Sequence, residues 1–155
     1  MERISQKEAL GAVQSLLQGE QFVANSGLDK KLVYLIKMRV SQINSCAYCI
    51  DMHYKEGIHA GETAQRLISL SAWRETPYYS EAEQAVLALA ETLTHLPAEV
   101  SSDHILDEVS KHFSNEEIAA LTLAIVQINS WNRVVRSFGR VAGTYKIPEK
   151  ATATA

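Results

Sequence analysis

The stretch DKKLVYLIKMRVSQINSCAYCIDMH, residues 29–53, decides the fold class of this chain. Its apolar residues, such as Leu32, Leu35 and Ile36, recur at steps of three and four, as on one face of an amphipathic helix. Asp29 precedes this pattern in the position of an N-cap residue. The stretch therefore predicts a helix over residues 29–43, followed by a second helix, residues 46–59, that begins at the cysteines.

The rest of the sequence has the same helical periodicity. The segments SEAE (80–83) and SNEE (114–117) each place Glu three residues after Ser, which indicates a capping box. Pro77 disfavours a helical residue before it, so RETPYYS (74–80) is predicted to be a loop. No segment alternates with period two. We predict an all-α, single-domain fold of about seven helices, near residues 5–19, 29–43, 46–59, 62–70, 81–94, 103–112 and 115–139.

Length and composition limit the possible functions. A chain of 155 residues suits one domain with one core, and we assign residues 1–145 to that domain and 146–155 to a flexible tail. The net charge of −3, without a basic block, disfavours binding to nucleic acid or to a membrane surface. Because the sequence has neither a secretory signal nor an uninterrupted apolar stretch of about 20 residues, we expect a cytoplasmic protein.

The sequence contains a weak internal repeat at an offset of 85 residues. The segments 29–46 and 114–131 each begin with a capping residue, and both contain Gln-Ile-Asn-Ser, at 42–45 and 127–130. Trp131 stands in the second copy where Cys46 stands in the first. If the repeat reflects a duplication, we expect the chemistry in the first half and structural support in the second.

The two cysteines, Cys46 and Cys49, and the nearby His53 permit three interpretations. A zinc site would need a fourth ligand or an open catalytic position, and no second Cys-x-x-Cys follows. A buried, inert cysteine pair on a core helix is the second interpretation. The third is a reactive dithiol, which suits a cytoplasmic protein better than a permanent crosslink does.

The spacing favours the reactive dithiol. Residues three apart at a helix start have Cα atoms about 5 Å apart, within the range of a disulfide. With Ser45 as the expected N-cap, both sulfurs would lie in the first turn, where free N–H groups favour a thiolate. His53, one turn beyond Cys49, could carry a proton near neutral pH. No βαβ pattern surrounds the motif, so a thioredoxin fold is not expected.

The segments LIKMRVSQINSCAYCIDMH (35–53) and INSWNRVVRSFGRVAGTY (128–145) resemble the AhpD-like alkylhydroperoxidase branch of the carboxymuconolactone decarboxylase family. The resemblance covers roughly residues 20–145. It implies an all-helical homo-oligomer, a trimer or hexamer, that reduces organic hydroperoxides or hydrogen peroxide without a metal or another cofactor. It also implies re-reduction by a dithiol, the best-known partner being a lipoyl-type adaptor protein. Lactone decarboxylation is disfavoured, because the founding decarboxylases do not use a Cys-x-x-Cys.

The resemblance assigns Cys46 and Cys49 as the redox cysteines and His53 as the relay histidine. The relay glutamate of the family falls at Tyr34, and a phenol is a poor base at neutral pH. Either another acid replaces it, with Glu56 the nearest in sequence, or the peroxidase is weak. Tyr34 itself is either a core aromatic residue or a functional hydroxyl.

Two functional hypotheses follow. The first is a thiol peroxidase in which Cys49 is the nucleophile, favoured by its distance from His53, although the reverse order remains open. The second is an oligomeric redox sensor or binding module whose dithiol changes state without turnover. We also expect Trp131, Asn132 and Arg133 to support the fold or a subunit contact rather than to bind substrate. The aromatic residues Trp73, Tyr78 and Tyr79 are expected to bury apolar surface between subunits.

Overall fold

A computed structural model describes residues 3–5, 7–96, 101 and 103–148 of the chain. Within these residues it contains seven α-helices, one 3₁₀ helix and no strand. The predicted all-α class is therefore confirmed. The helices are α1 (Leu10–Asn25), α2 (Lys30–Ile43), α3 (Ala47–His59), α4 (Ala64–Ser69), the 3₁₀ helix (Leu70–Glu75), α5 (Glu81–His95), α6 (Asp103–Ser110) and α7 (Asn115–Phe138).

Helix α2 lies at the centre of the fold, because it buries two faces. On one face, Ile36 and Val40 pack with apolar residues of α5 and α7 in the larger of two core clusters. On the other face, Leu35 and Met38 pack against α4, the 3₁₀ helix and α5. Leu35 and Ile36 are completely buried. This packing fixes α2, and with it the turn that leads to the cysteines.

Three helix starts predicted from capping residues, at Asp29, Ser80 and Ser114, are confirmed. The Asp29 side chain accepts a hydrogen bond from the backbone N–H of Lys31. Ser80 and Ser114 each form a complete capping box, at the starts of α5 and α7. Such caps satisfy N–H groups that have no partner inside the helix and stabilise a helix by about 1 kcal/mol each.

The predicted bounds of the first helix are wrong at both ends. Residues 5–19 were expected, but α1 spans Leu10–Asn25. Gly19, which marked the expected end, lies inside the helix and against α7. A Cβ atom at this position would lie 1.9 Å from Nε2 of Gln127. The glycine thus permits close helix packing, and Gln127 donates a hydrogen bond to the carbonyl of Leu16 there.

The predicted loop at residues 74–80 begins later than expected. The 3₁₀ helix continues to Glu75, and Thr76 then takes the extended conformation expected before proline. Trp73 and Tyr79 are only 5% and 4% exposed and belong to the core of their own chain. Trp73 and Tyr79 therefore offer no apolar surface to another subunit, whereas Tyr78 is half-buried and packs against the same core cluster. The oligomer stays a prediction.

Helix α7 is long and apolar enough to span a membrane by length and composition. Leu121, Ile125 and Ile128 are nevertheless buried in the larger core cluster, against residues of α2 and α5. A core helix has this same composition, so α7 is explained by its packing. The boundary proposed for the tail at residue 146 stays a prediction, since residues 149–155 lie outside the described part of the chain.

Candidate redox-active site

The turn between α2 and α3 places the first cysteine. Ser45 adopts a left-handed conformation with φ of 51°, and the N–H of Cys46 donates to the carbonyl of Ser41 at 3.0 Å. Cys46, in an extended conformation, is the N-cap of α3. The expectation that Ser45 would cap the helix is wrong, because the tight turn requires its left-handed backbone. Cys49 still falls in the first turn, three residues after the cap.

A polar network between α2 and α7 holds this turn. Nδ2 of Asn44 donates to Oδ1 of Asn129 and to Oδ1 of Asn132, each at 2.9 Å. Asn132 is buried, and its Nδ2 donates to Oγ of Ser41 at 3.1 Å. A guanidinium nitrogen of Arg136 donates to the carbonyl of Asn44 at 2.7 Å. The backbone before Cys46 is thus fixed on three sides by residues of α7 and α2.

Cys46 and Cys49 form a disulfide, with their Cα atoms 5.3 Å apart. This distance lies in the ordinary range for a disulfide, as the helical spacing predicted. Both residues are 1% exposed. Reduction would leave two thiols at the N-terminal turn of α3, where the helix dipole favours a thiolate.

His53 lies one turn beyond Cys49 and is 3% exposed. Its Nδ1 lies 2.8 Å from Oε2 of Glu56, while its Nε2 is buried and has no hydrogen-bond partner among the described residues. Burial lowers the pKa of His53, although the neighbouring Glu56 carboxylate acts in the opposite direction. The imidazole is therefore neutral at pH 7. Because an ionised Glu56 can only accept, the proton sits on Nδ1, and Nε2 carries the free lone pair.

Glu56 is the carboxylate that orients His53. Burial alone would raise its pKa, but hydrogen bonds from His53 and Tyr145 and the charge of Lys37 hold the pKa below its ordinary value. The hydroxyl of Tyr145 donates to Oε1 of Glu56 at 2.8 Å. Glu56 thus remains ionised and binds one donor on each oxygen.

A cavity of about 420 Å³ opens beside Cys49 and His53. Helix α1 contributes Val13 and Leu17 to its wall, and α7 contributes large apolar side chains. The lining residues from α7 are Trp131, Val134, Val135 and Phe138. The charged part of the lining consists of Glu20, Lys37, Glu56 and Arg140. The cavity therefore suits an organic molecule with an apolar body.

Tyr34, the residue at the position of the family's glutamate, faces a second cavity of about 250 Å³ between α1 and α2. Glu20 and Lys37, whose side chains form an ion pair at 2.6 Å, line both cavities. Among the described residues, the Tyr34 hydroxyl has no hydrogen-bond partner. Burial and the charges of Glu56 and Glu20 raise its pKa. The structure thus brings Cys46, Cys49 and His53 together and places Tyr34 in the adjoining cavity.

The sequence did not indicate that Tyr145 contacts the site or which residues line the cavity. Tyr145 contacts Glu56 across 89 residues, and no periodicity or spacing connects positions so far apart. Trp131 was expected to support the fold or a subunit contact, and it also lines the cavity. Across residues 3–5, 7–96, 101 and 103–148, no three His, Cys, Asp or Glu side chains group as metal ligands.

Comparison with known proteins identifies the family to which this chain belongs. The sequence profile of the carboxymuconolactone decarboxylase family matches residues 7–92. The helical fold is shared with solved structures of AhpD-like proteins. This chain belongs to the carboxymuconolactone decarboxylase family, in its AhpD-like branch.

Two individual relatives match most of this chain. Protein YdfG of Bacillus subtilis (strain 168), itself uncharacterised, is 40% identical over 129 residues, which are 83% of this chain and 88% of YdfG. An Agrobacterium tumefaciens protein of unknown function, proposed to be the antioxidant defence protein AhpD, has a crystal structure with 38% identity and a TM-score of 0.87. That match covers 94% of this chain and 100% of the Agrobacterium chain.

A more distant structure shares the fold alone. It is the AhpD core of an uncharacterised peroxidase-related protein from Ralstonia eutropha JMP134. The sequences are 15% identical, and the TM-score is 0.78 over 90% of this chain and 74% of the other.

Proposed function

We propose that this protein is a thiol peroxidase and disulfide reductase of antioxidant defence that works without a bound cofactor. The observation that carries the proposal is the arrangement around Cys49. A dithiol pair, already joined as a disulfide, lies beside an imidazole whose Nε2 is buried without a partner at an apolar cavity. A free basic nitrogen beside a thiol is the arrangement that thiolate chemistry needs.

The reaction would proceed in three balanced steps. The Cys49 thiolate attacks the terminal oxygen of a hydroperoxide, the O–O bond breaks, and an alcohol leaves after taking a proton. The resulting sulfenic acid condenses with the Cys46 thiol, which forms the disulfide and releases water. An external dithiol then reduces this disulfide by exchange and is itself oxidised. Of the two cysteines, Cys49 lines the cavity, which supports its role as the nucleophile.

His53 would carry the proton between these groups. Its Nε2 accepts the proton of the Cys49 thiol and returns it to the departing alkoxide. Glu56, bound to Nδ1 at 2.8 Å, stabilises the imidazolium formed in between. Glu56 would therefore take the place of the glutamate that Tyr34 replaces.

The surroundings suggest the substrate and partners. The apolar wall of the cavity favours an organic hydroperoxide over hydrogen peroxide. The reductant would be a small dithiol or a lipoyl-type adaptor protein, and the family resemblance suggests a trimer or hexamer acting in the cytoplasm.

Cysteine variants test the proposal. Wild type, given cumene hydroperoxide and a dithiol, should turn over and should lose two thiols per chain reversibly in a single cycle. Cys46→Ser should stop after one turn and accumulate a sulfenic acid at Cys49, which dimedone traps for mass spectrometry. Cys49→Ser should lose the first step altogether. A trapped sulfenic acid at Cys46 in Cys49→Ser would reverse the roles, and zinc bound by both cysteines would refute the proposal.

A redox sensor or binding module is the second candidate. The burial of both sulfurs and the tyrosine at position 34 favour it, since both would slow turnover. A sensor would form the disulfide once with peroxide but would show no steady-state turnover with any dithiol. Equal rates of peroxide and dithiol consumption over many cycles would exclude this second candidate.

A further inference from the structure

The chain segment after α7 returns to α3. Helix α7 ends at Phe138, and its C-cap Gly139, with φ of 76°, turns the chain. Two hydrogen bonds, each between a backbone group of the segment and a side chain of α3, then tie the segment to this helix. The N–H of Gly143 donates to Oδ2 of Asp51 at 3.1 Å, and Nζ of Lys55 donates to the carbonyl of Tyr145 at 3.0 Å. These bonds hold the Tyr145 ring where its hydroxyl reaches Glu56.

The Glu56 carboxylate therefore accepts hydrogen bonds from two donors that lie in different parts of the chain. Oε2 accepts from His53, in the helical turn before it, and Oε1 accepts from Tyr145 at the far end of the chain, both at 2.8 Å. A carboxylate with one donor on each oxygen cannot rotate without breaking a hydrogen bond. Burial and the bond to Glu56 raise the pKa of Tyr145, so its hydroxyl stays protonated and remains a donor at physiological pH.

We propose that Tyr145 is a positioning residue of the proton relay, which holds the Glu56 carboxylate against Nδ1 of His53 and so keeps Nε2 free as the base. The inference rests on the proposed function for its catalytic consequence. The contact itself is a property of the fold and can be measured separately. The C-terminal segment thus completes the site that begins at Cys46.

The expected consequence of removing the hydroxyl concerns proton affinity. Tyr145 stabilises the negative charge of Glu56, so without it the Glu56–His53 pair binds a proton more tightly. A hydrogen bond to a charged group corresponds to a rise of about one unit in the apparent pKa of the pair. A higher pH would then be needed to free Nε2, and the acid limb of the activity profile would move upward.

The other groups that act on the pair stay the same in this comparison. The titratable and charged residues around it on α1, α2, α3 and after α7 are Glu20, Tyr34, Lys37, Tyr48 and Arg140. Replacing Tyr145 by Phe changes none of their charges. A shift in the titration of His53 would therefore report the lost hydroxyl.

The test compares Tyr145→Phe with wild type and with Tyr54→Phe as a control. Tyr54 lies on α3 and packs against the smaller core cluster. The pH profile of kcat/KM for cumene hydroperoxide would be measured with a dithiol, and His53 would be titrated by ¹⁵N NMR in the oxidised protein. We expect both the acid limb and the His53 titration to rise by about one unit in Tyr145→Phe only.

The two readouts separate the inference from the proposed function. If no variant, wild type included, turns over peroxide, the proposed function fails, while the NMR titration still decides the role of Tyr145. An unchanged His53 titration in Tyr145→Phe would overturn the inference, whatever the activity. Because Tyr145 is half-buried and lies after α7, outside any helix, the variant should fold, and circular dichroism would verify this.

Discussion

The side chains of Asn44 and Asn129 hydrogen-bond to each other at 2.9 Å, and they occupy the same place in the two copies of Gln-Ile-Asn-Ser. The weak internal repeat is therefore also a contact in space. Asn44 is the C-cap of α2 and lies in the turn that leads to Cys46, whereas Asn129 lies inside α7. In the fold, the second copy supports the first, as the sequence suggested.

Asn44→Ala should destabilise the protein. The variant loses both hydrogen bonds that Asn44 donates and leaves Oδ1 of the buried Asn132 without this donor, which costs about 1–3 kcal/mol. Oδ1 of Asn129 still accepts from Arg133. Urea unfolding of the oxidised protein would measure the loss. Asn25→Ala, at an exposed position at the end of α1, is the control and should change stability by less than about 0.5 kcal/mol. Equal stability of the two variants would contradict a supporting role for the network.

Glu56→Gln should slow peroxide turnover. The amide can still accept the Nδ1 hydrogen bond, but it lacks the charge that stabilises the His53 imidazolium. We expect a loss of about 10²-fold in kcat/KM, at the lower end of the range for positioned acid–base groups. Glu116→Gln, at an exposed site at the start of α7, should leave the rate unchanged. A wild-type rate in Glu56→Gln would mean that His53 works without a carboxylate.

The local part of the site could be predicted from the sequence, because helical spacing alone places Cys46, Cys49 and His53 on one face. Glu56 could be suggested for the same reason, since it lies three residues beyond His53. Its bond to His53 required the structure, because a residue at that spacing can equally point to solvent. Tyr145 could not be predicted, because its position depends on how the chain returns after α7.

The predicted bounds of the first helix and the predicted N-cap of α3 are wrong for related reasons. The first helix was predicted to end at residue 19, yet Gly19 lies inside α1 and lets this helix approach Gln127 of α7. Serine is a preferred N-cap residue, yet the turn between α2 and α3 requires Ser45 to adopt a left-handed backbone conformation. In both cases a tertiary contact or a change of chain direction overrides the local preference.

Stability should fall below neutral pH because of His53. Burial keeps its folded-state pKa below the ordinary value of about 6.5, so below that pH the unfolded chain takes up a proton that the folded protein does not. Stability is then lost as the pH falls from about 6.5 toward the folded-state pKa, at up to about 1.4 kcal/mol per pH unit.

Urea unfolding of oxidised wild type and His53→Gln at pH 7.5 and 5.5 would measure this dependence. The background from the other titrating groups is common to both proteins. Wild type should therefore lose more stability than His53→Gln between the two pH values. The same loss in both would show that His53 is protonated equally in the folded and unfolded states.

Tyr34 stands where the family resemblance implies a relay glutamate, and two substitutions define its role. Its hydroxyl faces the second cavity and has no partner among the described residues, so Tyr34→Phe should leave kcat/KM unchanged. Tyr34→Glu would place a carboxyl, partly buried, in the field of Glu20 and Glu56, which disfavours its charged form. We therefore expect Tyr34→Glu to lower stability without raising turnover.

Steady-state assays and urea unfolding of both variants would check this, because a rate alone cannot separate a damaged fold from a damaged relay. If Tyr34→Phe slows turnover while its stability is unchanged, the hydroxyl acts on the relay through Glu20 and Lys37, which line both cavities. If Tyr34→Glu folds and works faster, position 34 remains the better place for the carboxylate, and Glu56 only partly replaces it. If neither occurs, Tyr34 serves as packing, and the carboxylate of this relay is Glu56.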